Sequence, residues 1–285
     1  MLFCRGVSVV VPFPRRVFAG MQFAWLTDIH LNAAAEEVIE NLLAEVRSAR
    51  PAGVLISGDI AEATSLQDSL TRIADTLDCP VYFVLGNHDY YFGSIQRVRQ
   101  DVRTLCAGRE PLVYLTDCEP VMLSERTVLV GHDGWADGRC GDYANSTVMM
   151  SDYQKIGDLI GLDSRTRLEM LQALAEEAAG HVRRVLASAL ERAPETLLLT
   201  HVPPFREACW HQGQIADDQW APHFSSRVMG DAILEIMTGR PDRQLTVLCG
   251  HTHSAGQIEP AVNVRVLTGA AEYGFPAICR ILQIP

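Results

Sequence analysis

The sequence predicts an α/β protein with a parallel-stranded start, and three observations carry that expectation. Short apolar runs recur, amphipathic stretches of helical spacing separate them, and the runs end in Gly, Asp, Asn or His. MQFAWLTDIH, GVLISGDIA and CPVYFVLGNHD read as buried strands with polar exits. Between them, AAEEVIENLLAEVRSAR and LQDSLTRIADTL repeat apolar residues at helical intervals, with Val38, Leu42 and Val46 on one stripe. A β-α-β-α-β order implies parallel strands joined by right-handed crossovers.

A helix near 93–107 comes next, followed by shorter strands that include TVLVGHDG. The acidic, glycine-rich stretch at about 132–163 reads as a loop insertion. A long helix over 165–192 is ended by Pro194. ETLLLTHVPP, QLTVLCGHTH and VNVRVLTG are three further strand-to-loop transitions, and AICRILQI closes the chain. Without internal repeats or a low-complexity linker, the expected organisation is an N-terminal extension over 1–20 and one domain over 21–285.

Composition narrows the class of partner. A net charge of −11 over 285 residues argues against a protein that grips a polyanion along an extended surface. Lys155 is the one lysine, which fits a base-composition bias better than a function. The eight cysteines are scattered with no CxxC spacing, the pattern of a reduced, cytoplasmic protein. No apolar stretch is long enough for a membrane span. Residues 1–20, MLFCRGVSVVVPFPRRVFAG, resemble a weak signal peptide, but PFPRR breaks the apolar run. An extra edge strand, or an extension upstream of a start at Met21, suits them better. Nothing in the sequence sets the oligomeric state.

The strand exits hold the chemistry. In order they carry Asp28 and His30, Asp59, Asn87 and His88, His201, then His251 and His253. Ligands gather at the carboxyl ends of strands in α/β sheets, so side chains far apart in sequence can meet there. The pairs spaced i, i+2 would point to one face if their backbone is extended. Imidazole, carboxylate and one amide oxygen suit Mn²⁺, Fe or Zn²⁺ better than Ca²⁺ or Mg²⁺.

The series D-x-H, G-D, G-N-H-D, H, G-H-x-H over residues 28–253 resembles that of the calcineurin-like metallophosphoesterases, especially the bacterial branch related to class III cyclic nucleotide phosphodiesterases. The resemblance implies a four-layer α/β/β/α sandwich, with two mixed sheets flanked by helices. It also implies two divalent ions, Mn, Fe or Zn. Asp28, His30 and His253 would hold one and Asn87, His201 and His251 the other, with Asp59 bridging. The implied reaction is hydrolysis of a small phosphodiester or phosphomonoester by a hydroxide bridging the metals, with His88 assisting the leaving group. GDIAEAT lacks the extended motif of the Ser/Thr phosphatase branch, and His88 stands where lipid A precursor hydrolases tend to carry Arg. The alternatives are a non-catalytic metal-binding scaffold on the same fold, or a metal-dependent nuclease.

Several further residues are candidates on position alone. Asp89 either orients His88 through a hydrogen bond or caps the next turn. Tyr90 follows His88, His132 and Trp135 lie in VGHDGW just after a strand, and Trp210 and Trp220 lie in the loop between His201 and His251; all five are candidate substrate contacts. The bland reading of the two later tryptophans is the small core of a lid. His181, in the long helix, reads as a solvated surface residue.

Overall fold

The computed structural model describes residues 20–285, so the readings of residues 1–19 lie outside the described residues. The first half follows the expected alternation. β1 (Met21–Leu26) leads to α1 (Glu36–Ala49), β2 (Gly53–Ser57), α2 (Leu66–Thr76), β3 (Val81–Val84), α3 (Ile95–Ala107) and β4 (Leu112–Tyr114). Then come β5 (Val121–Met122) and β6 (Thr127–Gly131), and the 132–163 segment contains only the short α4 (Asp152–Lys155) and a single 3₁₀ turn. The second half runs α5 (Ser164–Arg192), β7 (Glu195–Leu199), β8 (Trp210–His211), β9 (Gln214–Ile215), α6 (Ala221–Phe224) and α7 (Arg227–Thr238). β10 (Gln244–Cys249), β11 (Gly256–Ala261), β12 (Val264–Thr268) and β13 (Arg280–Ile284) complete it.

Two mixed sheets result, of strand order β13-β1-β2-β3-β4 and β11-β12-β10-β7-β6-β5. Each has a parallel interior and antiparallel pairing at an edge, through β13 in the first sheet and β11 and β5 in the second. The strand period of two decides how they stack. Phe23, Trp25 and Leu55 of the first sheet face Leu129, Leu197, Leu199 and Leu248 of the second, forming the central layer. The alternate residues Ala24, Leu26, Val54 and Ile56 pack on Leu42, Leu43, Val46 and Leu70 of α1 and α2. On the far side, Val128, Leu198 and Val247 pack on Val182, Leu186, Met229 and Ile233 of α5 and α7. This is the four-layer α/β/β/α sandwich.

Three local details differ from the sequence expectations. The buried stripe of α1 is Ile39, Leu42, Leu43 and Val46, with Val38 only half-buried at its margin. GQIEPA forms edge strand β11, where Pro260 needs no ladder donor on its outer side. His181 is half-buried rather than solvated, its ring centroid 5.0 Å from that of His132. Among the described residues no helix is long and apolar enough to cross a membrane.

Candidate metal centre

The parallel strands of both sheets end on one side of the sandwich, and their exit loops are stitched to one another by backbone bonds. Asp28 N–H donates to Gly58 O (3.0 Å), His30 N–H to Asp59 O (3.0 Å) and Gly250 N–H to His201 O (3.0 Å). The loops approach so closely that a Cβ on Gly86 would collide with the Asp59 carboxylate, and one on Gly250 with that of Asp28. Glycine is required at both places for space rather than for its torsion angles.

The ligands themselves take the unusual torsion angles. Asp28 (φ 49°), His30 (37°), Asp59 (53°), His251 (72°) and His253 (57°) all lie in the left-handed region that non-glycine residues seldom enter. The 28/30 and 251/253 pairs therefore converge by turning, not by alternating along extended chain. The expected convergence holds, and the reason given for it from spacing does not.

Two donor groups form. One ligand atom each of Asp28, His30, Asp59 and His253 lies within 4.8 Å of all the others. His253 Nε2 is 3.3 Å from Asp28 Oδ1 and 3.3 Å from His30 Nε2, and His30 Nε2 is 3.7 Å from Asp59 Oδ2. Such separations are what ligands about 2.1 Å from a shared cation make. The second group centres on Asn87 Oδ1, which is 3.0 Å from His201 Nε2 and 2.9 Å from His251 Nδ1. Asp59 Oδ1 lies 3.4 Å from His201 Nε2. The two oxygens of Asp59 thus face the two groups separately.

The surrounding carbonyls decide which nitrogens are offered. Ser57 O lies 2.9 Å from His201 Nδ1 and His223 O lies 3.1 Å from His251 Nε2. A carbonyl only accepts, so each of those nitrogens carries the proton and the opposite one turns a lone pair inward. Asn87 is fixed in the same way: its Nδ2 donates to Asp152 Oδ1 (2.8 Å), which leaves Oδ1 facing the histidines. Lone pairs therefore converge on lone pairs, an arrangement that a cation satisfies. Burial holds His30 down to about 4. Burial, with His201 nearby, does the same for His251. Burial would also lower His201, but the Asp59 carboxylate outweighs it and pushes His201 up to about 10, a proton standing where a stronger cation fits. Burial opposes ionisation of Asp59, and the imidazoles of His201 and His88 nonetheless hold it well below the ordinary carboxylate range. The residues fit a pair of divalent ions.

His88 stands apart from both groups. Its backbone N–H donates to Asp59 Oδ1 (2.8 Å), its ring stacks on Tyr91 (centroids 4.2 Å) and its Nε2 is 4.0 Å from Asp59 Oδ2. Asp89 does not touch the His88 ring. Its carboxylate is fully buried and accepts from Gly86 N–H (2.8 Å), Ile60 N–H (2.9 Å) and Ala61 N–H (2.8 Å), tying the exit of β3 to that of β2. Asp89 is accordingly a positioning residue. Asp89→Ala, which leaves three buried donors without an acceptor, is expected to cost on the order of 3–5 kcal/mol of stability. Metal affinity should fall roughly 10–100-fold. Denaturant unfolding and metal titration check this, and a variant neutral in both would contradict it.

The substrate candidates mostly fall elsewhere. Tyr90 and His132 are fully buried and Trp135 nearly so, Trp135 lining a small cavity behind Asn87 and His251. The Tyr90 hydroxyl donates to Asp133 Oδ2 (2.6 Å), His132 faces His181, and Trp135 packs on Tyr90 behind Asn87. Trp220 stacks on Phe224, and Phe224 in turn stands edge-on to His251. Trp210 packs against Gly256. The segment carrying the two tryptophans has its own small core around Cys209, Ala221 and Phe224. Sequence reasoning missed three residues. Asp152 orients Asn87, His223 orients His251 through its carbonyl, and the Tyr273 hydroxyl lies 3.3 Å from His88 Nε2. Tyr273 follows the carboxyl end of β12, so the strand-end rule that found the ligands also points to it.

This fold and this centre define a class. A family model described as Calcineurin-like phosphoesterase matches residues 21–255, and the chain belongs to that family. The family depends on dinuclear metal centres, and membership together with the Asp/His cluster makes this chain a metal-dependent phosphoester hydrolase. Among solved structures it is similar to phosphopantetheinyl hydrolase from Mycobacterium tuberculosis, at 17% identity and a TM-score of 0.69, covering 94% of this chain and 97% of that one. It is also similar to a dimetal phosphatase from Danio rerio, at 14% identity, a TM-score of 0.53 and coverage of 88% and 87%. A protein from Thermus thermophilus is 12% identical, with a TM-score of 0.52 and coverage of 88% and 89%. At these identities the likeness shows the fold. No match was found among curated protein sequences.

Proposed function

We propose that this chain hydrolyses a small phosphodiester or phosphomonoester, with Asp28, His30 and His253 holding one divalent ion and Asn87, His201 and His251 a second. Asp59 is the shared ligand. The observation that carries the reading is the inward convergence of lone pairs fixed by the carbonyls of Ser57 and His223, with His88 left outside both groups. When bound, the ion pair would supply positive charge at the phosphoryl oxygens and a water acidic enough to ionise near neutral pH.

The chain's own residues supply the rest. Asp59 holds the two donor groups in register and orients His88 by accepting its backbone N–H. Tyr91 and His30 pack on the His88 ring from two sides, stacked and edge-on, leaving Nε2 directed at the centre's mouth. From there, His88 holds a proton for the departing oxygen as general acid. Retention of the full ligand set together with His88 argues against a scaffold.

Purified protein loaded with Mn²⁺ is therefore expected to hydrolyse bis-p-nitrophenyl phosphate or p-nitrophenyl phosphate, and chelator-treated protein to be inactive. His88→Ala should keep both ions by elemental analysis while losing about 10²–10⁴ in kcat. Loss of an ion from that variant would sink the assignment of His88.

A further inference from the structure

We propose that Tyr273 contacts the substrate: its phenol donates a hydrogen bond to the ester oxygen on the leaving-group side of the phosphorus. The inference rests on the function proposed above and deepens it. Tyr273 lies in the 269–279 segment that joins β12 to β13, well away in sequence from the metal-ligand motifs. Its hydroxyl is 3.3 Å from His88 Nε2, and its ring centroid is 4.4 Å from that of His30 and 4.8 Å from that of His253. The phenol therefore stands over the first donor group and beside the proton donor, while 52% of the residue remains exposed to an incoming ligand.

The segment is anchored rather than loose. Ala271 N–H donates to His253 O (3.2 Å), which ties the segment to the ligand loop itself, and Cys279 N–H donates to Trp25 O (2.9 Å). Geometry then limits what the phenol can do. An oxygen within hydrogen-bond reach of His88 Nε2 occupies the space next to the Tyr273 hydroxyl, and an ester oxygen has lone pairs for both donors. A phenol is protonated at neutral pH, so it offers a donor without charge. Among the described residues, the carboxylates of Asp28 and Asp59 form ion pairs with histidines and with no Arg or Lys. Tyr273 is thus a neutral donor at the mouth. As the P–O bond breaks, its electron pair stays with the departing oxygen. His88 supplies the proton there, while Tyr273 keeps its own and stabilises the developing charge.

The test uses Mn²⁺-loaded wild type and Tyr273→Phe with two diesters, bis-p-nitrophenyl phosphate and diphenyl phosphate, the second having the worse leaving group. A donor at the leaving oxygen matters more as that oxygen carries more charge. The variant is expected to keep its metal content and melting temperature. It should lose roughly threefold to tenfold in kcat/KM with the nitrophenyl ester and on the order of 100-fold with the phenyl ester. Equal losses with both esters, or none, overturn the proposal, because a merely structural role does not depend on the leaving group. Should the wild type hydrolyse neither diester, p-nitrophenyl phosphate and phenyl phosphate replace them with the same expectation; should it hydrolyse none of the four, the proposed function itself fails, and calorimetric binding of inorganic phosphate decides the role of Tyr273. Several-fold weaker binding by the variant supports the contact, and unchanged affinity overturns it.

Discussion

Asp59→Ala is expected to strip the protein of most of its bound metal and to lower phosphoester hydrolysis by more than roughly 10³-fold. Other ligands serve one donor group each, whereas the Asp59 carboxylate faces both, with Oδ1 3.4 Å from His201 Nε2 and Oδ2 3.7 Å from His30 Nε2. Removing it also takes away the acceptor of the His88 backbone N–H, so His88 loses its placement as well. Metal content by elemental analysis should drop from about two ions per chain to one or none. A variant that binds two ions and stays within tenfold of wild-type activity would show that the bridge lies elsewhere.

Asp133→Asn is expected to cost on the order of 3–5 kcal/mol of stability, with the melting temperature falling by on the order of 10 °C. Asp133 is fully buried and satisfies five donors: Leu85 N–H (2.8 Å), the hydroxyls of Thr116 (2.8 Å), Tyr90 (2.6 Å) and Tyr114 (2.6 Å), and Arg99 Nε (3.2 Å). An amide presents one acceptor and two hydrogens; the Thr116, Tyr90 and Tyr114 hydroxyls can turn to accept them, but the Leu85 N–H and the Arg99 guanidinium only donate, so one of these two is left without its buried acceptor. The effect reaches the centre, since Leu85 is two residues before Asn87 and the Asp133 carbonyl accepts His201 N–H (2.9 Å). Metal affinity should weaken together with stability.

The same residue fixes a pH dependence. Burial alone would raise the Asp133 carboxyl, but Arg99, His132 and the two phenols outweigh it and hold it below the ordinary value of 3.8. Glu177, with the His132 imidazole 3.7 Å from its carboxylate and Arg99 paired to it, is held down to about 2 from 4.5. Both are lower in the folded state than in the unfolded one. Their contribution is therefore complete above about pH 4.5 and disappears as pH falls toward 2. Acid unfolding of the wild type should steepen in that window, and Asp133→Asn should flatten it.

How much of this was legible depended on whether one letter fixes a direction. The parallel start of the first sheet was readable because its strands are buried on two faces, alternate with amphipathic helices and exit through Gly, Asp or Asn, whereas the pairing within the second sheet was not. The edge strand β11 was not, because Gly256 and Pro260 weaken its pattern. At the site, eight side chains at strand ends could be named, but Tyr90, His132 and Trp135 also follow strand ends and are buried. Within HDY the chain makes a single 3₁₀ turn, which sends His88 to the mouth while Asp89 and Tyr90 go inward. No periodicity in three letters carries that information. Tyr273 was missed for the opposite reason, since a tyrosine five residues past the end of β12 is no metal ligand of the kind that drew notice at the other strand ends.

The left-handed backbone at Asp28, His30, Asp59, His251 and His253 has an evolutionary consequence. Each is a position where glycine would be easier for the chain by about 1–2 kcal/mol and useless to a cation. Drift toward a more comfortable backbone therefore runs toward inactivity at five places together, and only selection for hydrolysis opposes it. Descendants freed from that selection would be expected to keep the sandwich and lose these letters first, becoming well-folded relatives with an empty mouth.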